Sequence, residues 1–137
     1  YSSRVVRSMK GFSLIELMVA LAILAIILAI AIPNYSAYAV RANRSEGKVA
    51  IMQVAQALER CYTRYSAYNS ADCDVTFPID SENDWYQISV TRDATSFGLT
   101  ATPQGSQTTR DAACGNLTLT HTGQRGVSGS ADVADCW

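Results

Sequence analysis

Residues 10–33 read KGFSLIELMVALAILAIILAIAIP, an apolar run with one acid, Glu16, close to its start. From Leu17 to Ile32 no residue is polar, and Phe12, Leu14 and Ile15 extend the run toward Lys10. About 21 helical residues at about 1.5 Å each span about 30 Å, which is the thickness of the hydrocarbon core of a bilayer. The run therefore predicts a transmembrane helix, in which the position of Glu16 needs an explanation.

The charges and cysteines on either side of the run indicate two different compartments. Arg4, Arg7 and Lys10 precede the run, and basic residues mark the cytoplasmic end of a membrane helix. The cysteines follow the run at positions 61, 73, 114 and 136 without a CxxC pair, which favours disulfides over a zinc site. We therefore expect a cytoplasmic N-terminus and an exported C-terminal part.

Three interpretations of the run differ in the role of Glu16. A secretory signal peptide would be cut at the small-x-small sequences 29–31 or 37–39, but the run is long for one and an acid would weaken export. A permanent anchor would carry a carboxylate that costs about 2.5–3.5 kcal/mol toward the membrane centre. Cleavage between Gly11 and Phe12 would instead give Phe12 an α-amino group, with which Glu16 can pair in its own helix or a neighbouring one.

The residues Gly11-Phe12-Ser13-Leu14-Ile15-Glu16, after a basic leader and before a run that ends at Pro33, resemble the class III signal of type IV prepilins. The resemblance implies a leader over residues 1–11, cleavage by a prepilin peptidase between Gly11 and Phe12, and methylation of Phe12. It also implies that Glu16 pairs with the N-terminus of a neighbouring subunit, with Phe12 and Pro33 as further assembly residues. Residues 12–33 would then be the transmembrane or filament-core half of the helix.

Beyond Pro33, where the helix should kink or loosen, the helical period resumes. One stripe follows i, i+3, i+4, i+7 spacing and consists of Ile51, Val54, Ala55, Leu58, Tyr62 and Tyr65. This spacing predicts one helix over about 12–65 whose second half, 34–65, is amphipathic. Two shorter helices in that half are the alternative.

Residues 66–84 are expected to form a connecting loop. Its Asp80, Glu82 and Asp84 are spaced like the start of a calcium loop, but Trp85 and Thr91 stand where such a loop needs glycine and an acid. We therefore predict a solvated acidic loop.

In residues 85–137 the hydrophobic period changes to two. Alternation over 86–91, 97–102 and 117–120 predicts three half-buried strands, the first two joined as a hairpin. An antiparallel sheet of these strands would cover the apolar stripe of the helix, which is an α+β fold. The resemblance implies the type IV pilin form of that fold.

No catalytic motif of the HExxH, GxSxG, P-loop or dinucleotide type is present in the sequence. The single histidine, His121, lies at a predicted strand end and is expected to be partly covered and structural. We therefore expect neither an enzyme nor a cofactor or metal site.

The sequences CGNLTL (114–119), GQRG (123–126) and DCW (135–137) are similar to the C-terminal region of PilE-type type IV pilins. The resemblance implies a structural pilus subunit, minor rather than major, in the bacterial inner membrane and then in an extracellular filament for adhesion, twitching motility or DNA uptake. Its implied partners are other pilin subunits, prepilin peptidase, the inner-membrane assembly machinery and inner-membrane lipid. A major pilin, a type II secretion pseudopilin and a DNA-binding pilin are the alternatives.

Nucleic acid is not an expected partner. Removal of the leader leaves eight basic and twelve acidic residues, and phosphate binding needs a local cluster of bases. The only cluster in the sequence, Arg41, Arg44 and Lys48, is close to the membrane half and indicates filament packing or lipid headgroups.

Four cysteines permit three pairings, and the sequence does not decide among them. Locality favours Cys61–Cys73, which would hold the loop to the helix, and Cys114–Cys136, which would tie the C-terminal tail to the sheet. The resemblance supports the second bond more strongly than the first.

Overall fold

A computed structural model describes residues 10–137, and its first element is one long helix. This helix, α1, runs from Leu14 to Tyr65 with Pro33 inside it, so the two-helix alternative is wrong. Arg4 and Arg7 of the leader lie outside the described residues. The chain divides into an N-terminal segment, which ends at Ala37, and a head, Tyr38–Trp137.

The N-terminal segment presents its apolar side chains on every side of the helix. Exposed fractions of its large apolar residues range from 45% at Leu28 to 92% at Phe12. Among the described residues, α1 is the one helix long and apolar enough to cross a membrane. Such a surface is stable only in lipid or against other protein.

The head combines the second half of α1 with one antiparallel sheet, which confirms the predicted α+β class. Its five strands are hydrogen-bonded in chain order. The elements are β1 (Ile79–Asp80), β2 (Tyr86–Arg92), β3 (Phe97–Pro103), α2 (Gln107–Arg110), β4 (Leu117–Thr120), β5 (Arg125–Val127) and α3 (Val133–Cys136).

The three strands predicted from alternation are β2, β3 and β4, with β2 and β3 joined as a hairpin. The outer strands β1 and β5 were not predicted, because segments of two and three residues are too short to display a period of two. β1 lies inside the stretch expected to be loop and pairs Ile79 with Ile88.

The core of the head lies between α1 and the inner face of the sheet. Ile51 and Leu58 from α1 and Ile88 and Leu117 from the sheet are fully buried. The buried stripe of α1 consists of Gly47, Ile51, Val54, Leu58 and Cys61. The prediction of Tyr62 and Tyr65 as part of this stripe is wrong: both are 39% exposed, because the buried stripe continues at Cys61, which is bonded to Cys73 of the following loop.

Candidate functional site

At the start of α1, Glu16 forms a reciprocal cap with Ser13. The Glu16 carboxylate accepts hydrogen bonds from the Ser13 backbone N–H at 3.0 Å and from the Ser13 hydroxyl at 3.2 Å. The Glu16 backbone N–H donates to the Ser13 hydroxyl at 3.2 Å. This is a capping box, which provides acceptors for backbone N–H groups that have no partner within the helix at its first turn. The S-x-x-E spacing of Ser13 and Glu16 is the sequence signature of this cap, which gives Glu16 a second role beside the predicted assembly role.

The expected cleavage position precedes this cap. Gly11 and Phe12 lie before the first helical residue, Leu14, and Phe12 is 92% exposed. A Cβ atom placed on Gly11 would meet no atom of residues 10–137 within 4 Å. The peptide bond between Gly11 and Phe12 is therefore in a non-helical, exposed part of the described chain, close to the Glu16 carboxylate that caps the start of the helix.

In the head, Tyr86 of β2 lies flat against α1 at Gly47. A Cβ atom on Gly47 would approach Cγ of the Tyr86 ring to 2.7 Å. Tyr86 is fully buried, so the ring has no space to move away. Glycine at 47, which costs about 1 kcal/mol of helix propensity, thus permits the close contact of helix and sheet.

The hydroxyl of Tyr86 belongs to a buried polar cluster centred on Asp111, which follows α2. Asp111 is 3% exposed, and its carboxylate accepts two N–H groups from Arg44, one of them at 2.7 Å. Tyr86 donates to the same carboxylate at 3.1 Å, and Gln107 donates to the Tyr86 hydroxyl at 3.2 Å. Gln107 also donates to the Val40 carbonyl at 3.0 Å, so the cluster joins α1, β2 and α2.

The cluster shifts the pKa of two of its members, Arg44 and Tyr86. The hydrogen bond to Asp111 raises the pKa of Arg44 despite partial burial. Burial raises the pKa of Tyr86 to about 12, with a further contribution from the charge of Asp111. Arg44 is therefore committed to the interior of the head through its pair with Asp111, although the sequence groups it with Arg41 and Lys48.

Glu46 fixes the loop between β1 and β2. Its carboxylate accepts hydrogen bonds from the Ser81 hydroxyl at 2.7 Å and from the Asn83 backbone and side-chain N–H groups at 3.0 and 2.6 Å. Burial disfavours the carboxylate charge, but these bonds outweigh it and lower the pKa of Glu46. The acids Glu82 and Asp84 are exposed on the loop that Glu46 holds.

The cysteines form two bonds, Cys61–Cys73 and Cys114–Cys136, and no cysteine is free within residues 10–137. The first joins the end of α1 to the loop that leaves it, and the second joins the start of the β4 region to α3. His121 is exposed rather than partly covered, with its ring 6.2 Å from Phe97 and 6.4 Å from Tyr68 between ring centroids.

Within the part of the chain that the structure describes, no group of acids, histidines and cysteines could hold a metal ion. What this part does offer is a capped apolar helix with a processing-type N-terminal sequence, and a small disulfide-bonded head. These features are typical of a structural subunit with a membrane-type N-terminal helix.

Comparison with known proteins identifies the class. The family model "Type IV minor pilin ComP, DNA uptake sequence receptor" matches residues 33–118, and the "Prokaryotic N-terminal methylation motif" matches residues 6–32. Because the first model covers more than half of the chain, this protein belongs to that family of type IV pilins. The pilin family and fold are structural, which confirms that the protein is not an enzyme.

Relatives and solved structures agree with this family. The type IV major pilin protein PilA of Myxococcus xanthus (strain DK1622) is 32% identical over 81 residues, which is 58% of this chain but only 37% of that relative. A type IV pilin from Shewanella oneidensis superimposes with a TM-score of 0.50 at 28% identity, over 72% of this chain and 97% of that one. The minor pilin PilV of Neisseria meningitidis shares the fold, with a TM-score of 0.53 at 22% identity over 69% and 92% of the chains.

Proposed function

We propose that the protein is a structural subunit of a type IV pilus. The subunit is first held in the bacterial inner membrane with its N-terminus in the cytoplasm, and it is then assembled into the filament. The observation that carries this proposal is the apolar surface of the N-terminal segment, where even the least exposed large apolar side chain, Leu28, is 45% exposed. Lipid and a bundle of such helices are alternative surroundings for the same surface. The head folds around its own core and can stay unchanged in either.

We further propose that the subunit is minor. The support is the match of residues 33–118 to a family model described for a minor pilin. Quantification of the chain in sheared, purified filaments tests both proposals. Trace incorporation is expected, bulk incorporation would make it a major pilin, and its absence from filaments would exclude a pilus subunit.

The first prediction concerns processing by prepilin peptidase. Intact mass and N-terminal sequencing of the chain from membranes should show a mature protein that begins at a methylated Phe12. The reason is the match to the methylation motif and the uncovered Gly11–Phe12 bond. A mature N-terminus at Ile32 or Val40 would instead establish a secretory signal peptide.

The second prediction separates two roles of Glu16. We expect Glu16→Ala to leave cleavage and membrane insertion intact and to reduce filament incorporation several-fold, since the assembled helix loses a charge partner. Glu16→Gln is the matched control, because glutamine can also serve in a capping box. If the charge matters, both variants incorporate several-fold less; if Glu16 acts only as a cap, Glu16→Gln incorporates like the unchanged chain.

DNA binding is a second candidate function, favoured by the receptor description of the matching family. Arg125, which is distant in sequence, approaches Lys48 in the head: burial, and then the charges of Arg44 and Arg125, lower the pKa of Lys48. The Arg125 guanidinium lies 5.1 Å from the Trp137 ring centroid. The sequence does not indicate this approach, because Arg125 is 77 residues from Lys48 along the chain.

The test of this candidate is binding of duplex DNA by the detergent-solubilised full chain at increasing salt. Lys48→Ala with Arg125→Ala should weaken binding and reduce its salt dependence, since each lost phosphate contact lowers the slope by about one. Arg64→Ala, which removes an exposed base elsewhere, is the control. This surface would be excluded if Arg64→Ala weakened binding as much as Lys48→Ala with Arg125→Ala, or if the affinity for DNA did not depend on salt.

A further inference from the structure

An open pocket of about 570 Å³ lies on the outer face of the sheet, next to the β2–β3 and β4–β5 turns. Gly98 of β3 lines it between Thr91 of β2 and Thr120 of β4, the two residues with which Gly98 pairs directly. None of these three residues is buried, whereas Phe97 and Leu99, on either side of Gly98, belong to the core. The pocket is thus a trough over one glycine between two threonines, on the side of the sheet that faces away from the core.

Within residues 10–137, neither the backbone nor the packing requires a glycine at position 98. Glycine weakens the interior of a strand, and its usual reasons there are a positive φ, a bulge or the close approach of other atoms. Gly98 has no positive φ, and its pairs with Thr91 and Thr120 continue the ladders without a bulge. A Cβ atom placed on it would meet no atom of the described chain within 4 Å. A strand glycine with these properties indicates space for a ligand.

The two charged residues that line the pocket, Arg92 and Asp93, are engaged in hydrogen bonds within the head. The Arg92 guanidinium donates to the Tyr68 carbonyl at 3.1 Å. The Asp93 carboxylate accepts the backbone N–H groups of Thr95 at 2.8 Å and Ser96 at 2.7 Å, and also the Ser96 hydroxyl at 2.9 Å. The bond from the Thr95 backbone, followed by those from Ser96, lowers the pKa of Asp93. One positive and one negative charge also cancel, so the pocket does not select a charged ligand.

The side chains that are free to bind a ligand carry hydroxyl, amide and imidazole groups. The Thr91 hydroxyl and the Gln124 amide lie on exposed residues, and neither makes a hydrogen bond in the described part of the chain. The Thr120 and Thr122 hydroxyls lie 2.8 Å apart, and His121 between them is exposed. Hydroxyls, amides and neutral imidazole can each both donate and accept.

The backbone around the pocket is not free to bind. β2, β3 and β4 each have a hydrogen-bonded neighbour on both sides in the five-stranded sheet. An extended peptide binds to a sheet by adding a strand at an edge, which is not possible at this position. A ligand must therefore be held by side chains that donate and accept without charge. Uncharged molecules covered with hydroxyl groups, which also donate and accept, match this requirement, and sugars are the molecules of that kind.

We propose that the pocket over Gly98 binds one ring of a neutral saccharide. The ring lies in the space that the missing side chain leaves, and its hydroxyl groups bind the side chains of Thr91, Thr120 and Gln124. A volume of about 570 Å³ is in the usual range of small-molecule sites, about 300–1,000 Å³. This site goes beyond the pilus function and does not depend on it, because all of its residues belong to the head.

The test is a titration of the full chain, solubilised in a detergent whose headgroup is not a sugar. The probes are the methyl glycosides of glucose, galactose, mannose and N-acetylglucosamine, and binding is followed by NMR. At least one should bind in the millimolar range and shift the amide signals of Gly98, Thr91 and Thr120. Methyl glucuronide, a sugar ring with a carboxylate, should bind more weakly. No binding by the four neutral glycosides, shifts confined to other parts of the head, or stronger binding of the glucuronide would overturn the proposal.

Two variants test the trough and its hydroxyl separately. Gly98→Val fills the trough and should weaken binding at least ten-fold, while the urea midpoint stays equal or rises, because valine favours strands and its Cβ meets no other atom. Thr91→Val removes one free hydroxyl and should weaken binding several-fold. Thr102→Val, on the same face of β3 but outside the pocket, is the matched control and should bind like the unchanged chain. Unchanged binding by folded Gly98→Val, or equal effects of Thr91→Val and Thr102→Val, would show that the sugar is not bound here.

Discussion

Asp111→Ala is expected to lower the free energy of unfolding of the head by about 3–5 kcal/mol, as is typical when one partner of a buried ion pair is removed. The change leaves the guanidinium of Arg44, whose side chain is only 13% exposed, without its partner. It also removes the acceptor of the buried Tyr86 hydroxyl. Urea unfolding of the detergent-solubilised chain, followed by the fluorescence of Trp85 and Trp137, measures the loss.

Two further variants show whether the loss comes from the uncompensated charge. Asp111→Asn keeps an acceptor for Tyr86 and should cost less than Asp111→Ala. Arg44→Met combined with Asp111→Leu removes both charges and should also cost less than Asp111→Ala alone, since no charge is then left buried without a partner. A loss below about 0.5 kcal/mol for Asp111→Ala, the range of an ordinary surface substitution, would contradict the structural role of the cluster.

This cluster also marks a limit of sequence analysis. Arg44 and Asp111 are 67 residues apart in the chain, and nothing local to either residue indicates that they meet. In the sequence, Arg44 has the appearance of a member of a basic cluster, because Arg41 and Lys48 are close to it along the helix. Only the docking of α2 against α1 changes it into an interior residue.

The elements that could be predicted are those with a long periodic pattern. The 52 residues of α1 and the seven-residue strands β2 and β3 extend over several repeats of their hydrophobic period. The contact between Gly47 and Tyr86 has no such pattern, since a glycine in a helix suggests a weakness and not a packing position. Its meaning depends on a ring that arrives from another strand.

The candidate site at the N-terminus could be located from sequence because it is local. Gly11, Phe12 and Glu16 lie within six consecutive residues, and the chemistry they suggest does not require distant parts of the chain. The additional capping role of Glu16 is equally local. Surfaces that combine distant residues, such as Lys48 with Arg125, become visible only in the folded head.

Removal of the Cys114–Cys136 bond by Cys114→Ala with Cys136→Ala is expected to lower the free energy of unfolding by about 3–5 kcal/mol, in the upper range for a native disulfide of a small domain. Both sulfurs belong to the core, since Cys114 is 3% exposed and Cys136 is fully buried. The bond also holds α3, whose neighbour Trp137 donates an indole hydrogen bond at 3.0 Å to the Gly126 carbonyl of β5. Loss of the bond should therefore loosen an outer strand together with the C-terminal segment.

The matched comparison is Cys61→Ala with Cys73→Ala, for which we expect about 2–3 kcal/mol. In the chain-entropy model the two bonds differ little, because their sequence separations of 22 and 12 enter only as a logarithm. The difference should come from burial: Cys73 lies on a partly exposed loop, whereas Cys136 lies in the core. Urea unfolding of both double variants measures which one loses more free energy of unfolding, and non-reducing peptide mapping of the unchanged chain verifies the two pairs. A larger loss for Cys61→Ala with Cys73→Ala would show that loop closure, not core packing, determines what these bonds contribute.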